Sequence, residues 1–354
     1  MLLVSSRTTP GLRSADDELV RALTALGLRV AEASSNYGLL RHLRVAHPLI
    51  DLIEAWSLRR AAVRAARRTD PEAIIFSSAI ATIFQPASVL RRSAVRFDAT
   101  PDSNRLGWRN APIRVLSRRS LSRARLLLPW TEDQASVFAG DPRVVVLRSP
   151  IAPGPPRDDA SRERAAFCYA GNPDKKGLDL AVAAWASAAP PTCPLYITGI
   201  EPAVGLAFLR RRGVSAGENI VWCGPLDPAA HRELSTRVEF CLAAARREEY
   251  GIVQREALLD GAVLVTVPSA GPVPLLTLAR ALDPDLVASE ISASALAVCV
   301  KHALEMSAEE RASYRTRALE LMSPDTRANF EELLSERVLP ALLAGVGAQT
   351  SGSS

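Results

Sequence analysis

The chain has 354 residues, 48% of them apolar, and a formal net charge of +5. That length and apolar content suffice for two domains with separate cores, and the lack of any run of 18 apolar residues excludes a membrane-spanning helix. The start, Met1 to Ser6, is too short an apolar stretch for a secretory signal and reads as a first strand.

In chain order, residues 2–5, 73–76, 94–97, 126–129 and 144–147 read as strands. Residues 15–26 read as a helix: Leu19, Val20, Leu23 and Leu26 share a face, Ser14 can cap the start and Gly27 can end it. A second helix is expected over 51–68. The stretch 149–164 is rich in proline and charge and reads as a linker. The alternation then restarts, with strands expected at 165–170, 195–198, 219–223, 239–243 and 262–267. Helices are expected at 177–188, 229–237, 252–260, 295–306 and 328–339, and residues 347–354 read as a disordered tail. Strand and helix alternating through both halves predict an α/β protein of two Rossmann-like domains, residues 1–150 and 151–325, facing across a cleft. Residues 326–346 would form a terminal helix crossing back to the first domain.

Charge divides the halves further. Residues 1–150 hold 23 Arg, no Lys and 13 acidic residues, for +10, whereas the remainder holds 20 basic and 25 acidic residues, for −5. A basic first half invites an anionic partner. Five cysteines (Cys168, Cys193, Cys223, Cys241, Cys299) are scattered without CxxC spacing, which points to reduced core thiols in a cytoplasmic protein. The four histidines, His42, His47, His231 and His302, lack metal-ligand spacing, so no metal is expected.

The most informative stretch runs Arg246-Arg247-Glu248-Glu249-Tyr250-Gly251-Ile252-Val253-Gln254-Arg255-Glu256. An apolar strand precedes it and a helix begins inside it. Free backbone N–H groups and the helix dipole make such a junction an anion site. Glu248 and Glu256, with seven residues between them, would repel a bare phosphate but accept hydrogen bonds from sugar hydroxyls. Phosphate and hydroxyls together describe a nucleotide sugar.

On these residues the second half resembles the retaining glycosyltransferases of family 4, which have the GT-B fold. The usual Glu-x-Phe-Gly, then Glu-Ala and Gly, stands here as Glu248-Glu249-Tyr250-Gly251, Glu256-Ala257 and Gly261. A glycine-bounded Lys-Gly loop appears as Gly171-Asn172-Pro173-Asp174-Lys175-Lys176-Gly177, and a third landmark as Val221-Trp222-Cys223-Gly224-Pro225-Leu226. The match covers residues 165–310 in order, and the first half matches in layout only. The chain departs from the pattern where Asn172 replaces an arginine, Ala244-Ala245 replaces Pro-Ser, and Asp98 stands in the place of a histidine.

The resemblance implies a sugar transferred with retention from a nucleoside diphosphate sugar to a hydroxyl acceptor of the cell envelope, a polysaccharide or a lipid-linked glycan. No cofactor beyond the donor substrate is implied. Lys176 would neutralise the pyrophosphate, with Lys175 standing in for the absent arginine, or the two are a solvated loop pair. Glu248 would meet the transferred sugar and Glu256 the ribose, or Glu256 merely favours the helix dipole. Backbone groups of Tyr250, Gly251 and Ile252 would meet the ligand, as would Gly171, Gly224 and Leu226. The loop Arg7 to Gly11 would close over the phosphates, or it is a plain turn. Asp98 would face the donor sugar or position the acceptor. Asp283-Pro284-Asp285 has the spacing of a metal-binding DxD but lies in a proline loop without further ligands.

Arg59, Arg60, Arg64, Arg67 and Arg68 share one expected helix with Trp56 and Leu58. They read as docking to anionic lipid at the inner face of a plasma membrane, or as a solvated helix face. Few aromatics interleave with the basic residues, so nucleic acid is not the expected partner. An alternative to the transferase is an inactive nucleotide-sugar-binding or peripheral-membrane scaffold of the same fold.

Overall fold

Ten strands form two five-stranded sheets in a computed structural model that describes residues 1–34, 48–151, 161–271 and 274–344. Residues 152–160 of the expected linker, His42, His47 and the expected tail lie outside the described residues. The chain divides into two compact units, Met1–Pro150 with Asp325–Ser354, and Ile151–Pro324.

In the first unit β1 (Leu2–Ser5), β2 (Ala31–Ser34), β3 (Ile74–Phe76), β4 (Ser93–Phe97) and β5 (Leu126–Pro129) pair in the order β2-β1-β3-β4-β5. All pairings are parallel. Four of the strands are buried along their whole length, as parallel strands covered on both faces must be. The exception is β2, Ala-Glu-Ala-Ser, an edge strand with exposed Glu32 and Ser34. Its weak apolar pattern explains why the sequence does not announce it.

Among the described residues up to Pro150, the helices that accompany this sheet are α1 (Pro10–Ala25), α2 (Leu49–Thr69), α3 (Ala87–Leu90), α4 (Pro101–Asn104), α5 (Ala111–Leu121) and α6 (Glu132–Ser136). Helix α1 starts earlier than expected. Thr9, not Ser14, caps it by accepting from Leu12 N at 3.2 Å, and Pro10 fits the first turn because its missing N–H has no acceptor there. Gly11 therefore lies inside the helix rather than in a loop before it. Residues 144–147, expected as a strand, run beside β5 with bonds from Val145 N and Leu147 N to Leu127 O and Pro129 O, at 3.0 and 2.9 Å. They make one isolated bridge and no strand.

The chain's last described segment packs on this unit. It is not the single helix expected: α14 (Arg327–Leu333) passes through a π turn, Leu334–Val338, into α15 (Leu339–Leu343). Pro340 has no N–H to give Glu336, and a wider turn relieves the clash of its ring with the preceding turn. Phe330, Leu334, Val338 and Leu342, four residues apart, enter one core with Leu3, Leu19 and Leu128. Arg96 of β4 is fully buried there, stacked 4.5 Å from the Trp130 ring and 5.9 Å from the Phe330 ring, with Asp16 at 3.7 Å.

In the second unit β6 (Glu163–Tyr169), β7 (Leu195–Thr198), β8 (Ile220–Gly224), β9 (Val238–Ala243) and β10 (Val263–Thr266) pair in parallel, in the order β10-β9-β6-β7-β8. The helices are α7 (Leu178–Ala188), α8 (Pro202–Arg211), α9 (Pro228–Arg237), α10 (Ile252–Leu259), α11 (Pro274–Leu282), α12 (Ala293–Glu305) and α13 (Ala308–Met322). One core unites them, with Phe167, Trp185, Leu209, Phe240, Leu258 and Leu296 among its members. Because all strands point one way, the loops that follow β6, β9 and β10 emerge at one edge of the sheet.

Candidate active site

The loop after β6 is shaped by its own residues. Asn172 Oδ1 accepts from Lys175 N at 3.1 Å and its carbonyl accepts from Lys176 N at 2.8 Å, closing a turn that an arginine could not close through its side chain. Gly177 follows with a φ of 65°, and a side chain there would overlap the carbonyl oxygen of Ala244. Glycine thus lets the Lys-Gly loop lie directly on the end of β9. Gly171 likewise leaves room for the Tyr169 hydroxyl.

The loop after β9 is stitched to both neighbours. Arg246 N donates to Lys175 O at 2.9 Å, and Glu248 N donates to Ala270 O at 3.0 Å. Arg246 also holds Asp179 of α7 in a two-pronged pair at 2.9 and 2.6 Å. Gly251, with a φ of 80°, turns the chain into α10, whose first N–H groups, those of Ile252 onward, have no acceptor within the helix. Tyr250 is buried, with Arg255 4.5 Å over its ring.

Two ion pairs cross between these loops. Lys176 Nζ meets Glu248 Oε2, and Lys175 Nζ meets Glu249 Oε2 at 2.6 Å. Both members of the first pair are largely shielded, the side chains being 18% and 9% exposed. Burial pushes the Glu249 carboxyl up, but Lys175 and Arg247 outweigh it and hold the group below the ordinary carboxylate value. Lys176 lies 5.8 Å from the Tyr169 ring centroid. A pocket opens between the loops, lined by Tyr169, Lys176, Ala244, Ala245, Val253 and Gln254 among others.

Glu256, farther along α10, has a different cation as its partner. Its carboxylate stands 3.7 Å from Arg232 of α9, which also holds Asp260. Burial raises the Glu256 carboxyl to about 7, against the pull of Arg232 and with a push from Asp260. Next to Arg232, His231 sits between Phe167 and Tyr169, ring centroids 5.4 and 6.1 Å away, and burial and then Arg232 lower it to about 4.

The structure therefore brings together Gly171, Lys175, Lys176, Glu248, Tyr250, Gly251 and Ile252. Gly224 and Leu226 lie at the end of β8, two strands from β6, where Gly224 has a φ of 70° and Leu226 packs on the core. Gly11 and Asp98 belong to the first unit, Asp98 being exposed just beyond β4. Arg7 has a φ of 50° and is held by Asp17 and Glu32, both at 2.6 Å. Sequence reasoning passed over Tyr169 and Gln254. The first looked like one more strand residue and the second like one more helix residue, although a glutamine in the first turn of the motif helix was a visible signal.

Asp283 and Asp285 do acquire a third candidate ligand, contrary to the sequence reading. His302 of α12 comes within 3.2 Å of Asp283, and one ligand atom from each of the three lies within 4.8 Å of the others. The connection could not be read along the chain because the histidine comes from a separate helix.

No protein-family model matches the chain, and no curated protein matches it. Solved structures do. Anabaena HepE in complex with UDP-glucose superposes with a TM-score of 0.71 at 15% identity, covering 96% of this chain and 98% of that one. Sucrose-phosphate synthase from Thermosynechococcus elongatus gives 0.71 at 15% identity, over 96% and 99%. Trehalose-6-phosphate synthase from E. coli, bound with UDP-2-fluoro glucose, gives 0.67 at 15% identity, over 96% and 98%. The fold is GT-B. At this identity the likeness is one of architecture. The chemistry of this GT-B chain rests on its own residues at the edge of the second sheet.

Proposed function

We propose that the protein is a glycosyltransferase that takes a sugar from a nucleoside diphosphate donor held by the second unit and passes it, with retention, to a hydroxyl acceptor held by the first. The observation that carries the reading is the Lys176–Glu248 pair beside the start of α10. It offers a cation for a diphosphate and a carboxylate for sugar hydroxyls in one shielded place. The likeness to HepE and the trehalose and sucrose-phosphate synthases supports it.

In this reading the bond from the anomeric carbon to the phosphate oxygen breaks, and that oxygen keeps the electron pair. Lys176 and the N–H groups at the head of α10 stabilise the departing diphosphate. The acceptor oxygen attacks the same face, and its proton passes to the leaving phosphate oxygen. Glu248 holds the sugar and Glu256 the ribose, while Asp98 positions the acceptor hydroxyl. The reaction is proposed to need no metal. A thermal-shift screen across UDP-, GDP-, ADP- and dTDP-sugars tests the donor site, because a ligand bound only by the folded state raises the melting temperature. No stabilisation by any of them would refute the reading.

The acceptor is placed in the same proposal among envelope, polysaccharide or lipid-linked glycans, and the enzyme in the cytoplasm. No helix among the described residues is long and apolar enough to cross a membrane. Contact with a membrane surface is proposed through α2, where Arg59, Arg60, Arg64, Arg67 and Arg68 are all exposed. Trp56 is 53% exposed beside them, with Arg60 stacked at 4.6 Å. Sedimentation with anionic vesicles at low salt, abolished at high salt, is the expected result. Equal recovery with neutral vesicles would remove the charge argument.

A further inference from the structure

Gln254 stands on the first turn of α10 and is 6% exposed. It lines the pocket with Tyr169, Lys176, Ala244, Ala245 and Val253. Its Nε2 is 3.5 Å from Glu248 Oε2, while its Oε1 is buried and has no hydrogen-bond partner. The orientation of the amide follows from chemistry. Turning it over would set its oxygen against the Glu248 carboxylate, acceptor against acceptor. With the observed orientation the oxygen lies over Gly251, at 3.3 Å from where a β-carbon would stand.

A buried acceptor facing a pocket is unfavourable until something donates to it. Few side chains of the pocket carry a donor, and none donates to this oxygen: Lys176 is engaged by Glu248, the Tyr169 hydroxyl and Cys241 thiol make no hydrogen bond to it, and the alanines and Val253 have no side-chain donor to offer. A phosphate oxygen cannot serve, because it too is an acceptor. A ligand hydroxyl can. We propose that Gln254 is a specificity-determining residue: its Oε1 accepts a hydrogen bond from a hydroxyl of the donor's sugar, while its Nε2 orients Glu248. The proposal rests on the reading that a nucleoside diphosphate sugar occupies this pocket. A sugar lacking the hydroxyl leaves the oxygen unpaired, which is how a polar pocket rejects close analogues.

The test uses the full chain and titration calorimetry with UDP, GDP, ADP and dTDP and the glucose conjugate of each, taking the pair that binds best. Gln254→Met keeps the length and apolar packing of the side chain but removes the acceptor. It should leave the affinity for the sugar-free diphosphate within about twofold and weaken the glucose conjugate about tenfold. The melting temperature of the unliganded variant should equal or exceed that of the wild type. Unchanged affinity for both ligands would overturn the role of Gln254 while leaving the donor site standing. Equal loss for both would also overturn it, assigning the side chain to support of Glu248 alone. A wild-type chain that binds none of the eight probes would overturn the donor-site reading, and this proposal with it.

Discussion

Lys176 and Glu248 neutralise one another across two loops, so a diphosphate must share a lysine that is already paired. Its charge gains most when the leaving group develops its own, which places the benefit in the transition state. Lys176→Ala should lower kcat by about 100-fold with a smaller change in KM. Lys175, held by Glu249, can replace it only in part. Steady-state kinetics on both single variants and the double variant decide this, and full activity in the double variant would sink the assignment.

Glu256 and His231 give a second prediction at the residue scale. Between its ordinary 4.5 and about 7, the folded chain keeps a proton on Glu256 that the unfolded chain has released. Stability from this group therefore falls as pH rises through that window. His231 acts oppositely. From its ordinary 6.5 down to about 4, the unfolded chain takes up a proton that the folded chain refuses, so stability falls on acidification. The two slopes offset each other where they overlap. Glu256→Gln should unmask the histidine, with stability rising by about 1–3 kcal/mol from pH 4.5 to 6.5, and His231→Phe should show the reverse trend. Melting curves across pH 4.5–7.5 that run parallel for all three proteins would contradict both assignments.

At the scale of elements, the site depends on loops that touch because particular residues permit it. Gly177 combines a positive φ with contact against Ala244 O. Gly177→Ala should therefore cost about 2 kcal/mol or more and push the Lys-Gly loop off the end of β9. Urea denaturation would show the lost stability, and donor titration the lost affinity. An unchanged midpoint would mean that the two loops separate without penalty. The contrast with Gly224 is useful, since a β-carbon there meets nothing within 4 Å. Its substitution should cost only the strain of its backbone angle.

For the whole molecule, the second unit owns a complete parallel sheet and one continuous core. Residues 151–324 expressed alone should fold and bind the donor diphosphate, since Lys176, Glu248, Gln254 and α10 are all within them. They should transfer no sugar if the acceptor belongs to the first unit. Calorimetry on the separate units checks this. Binding of the donor by the first unit instead would reverse the roles.

Local composition was enough to place the buried strands of both sheets, because covered parallel strands are written as apolar stretches, but it also read a strand into 144–147, an apolar run that makes a single bridge. The Glu-x7-Glu element and the Lys-Gly loop were legible for a similar reason, being short-range patterns with turn glycines at set places. Edge strand β2 escaped because half of it faces solvent, and the π turn before Pro340 because the clash of a proline ring says little about how a helix will yield. What only the tertiary structure decided is who meets whom. Lys176 and Glu248 lie 72 residues apart, Arg232 reaches Glu256 from another helix, and His302 joins Asp283 and Asp285 across α12. Parallel strands send successive loops to one edge, so the partners of a charge are set by strand order, and strand order is a property of packing that no single segment carries.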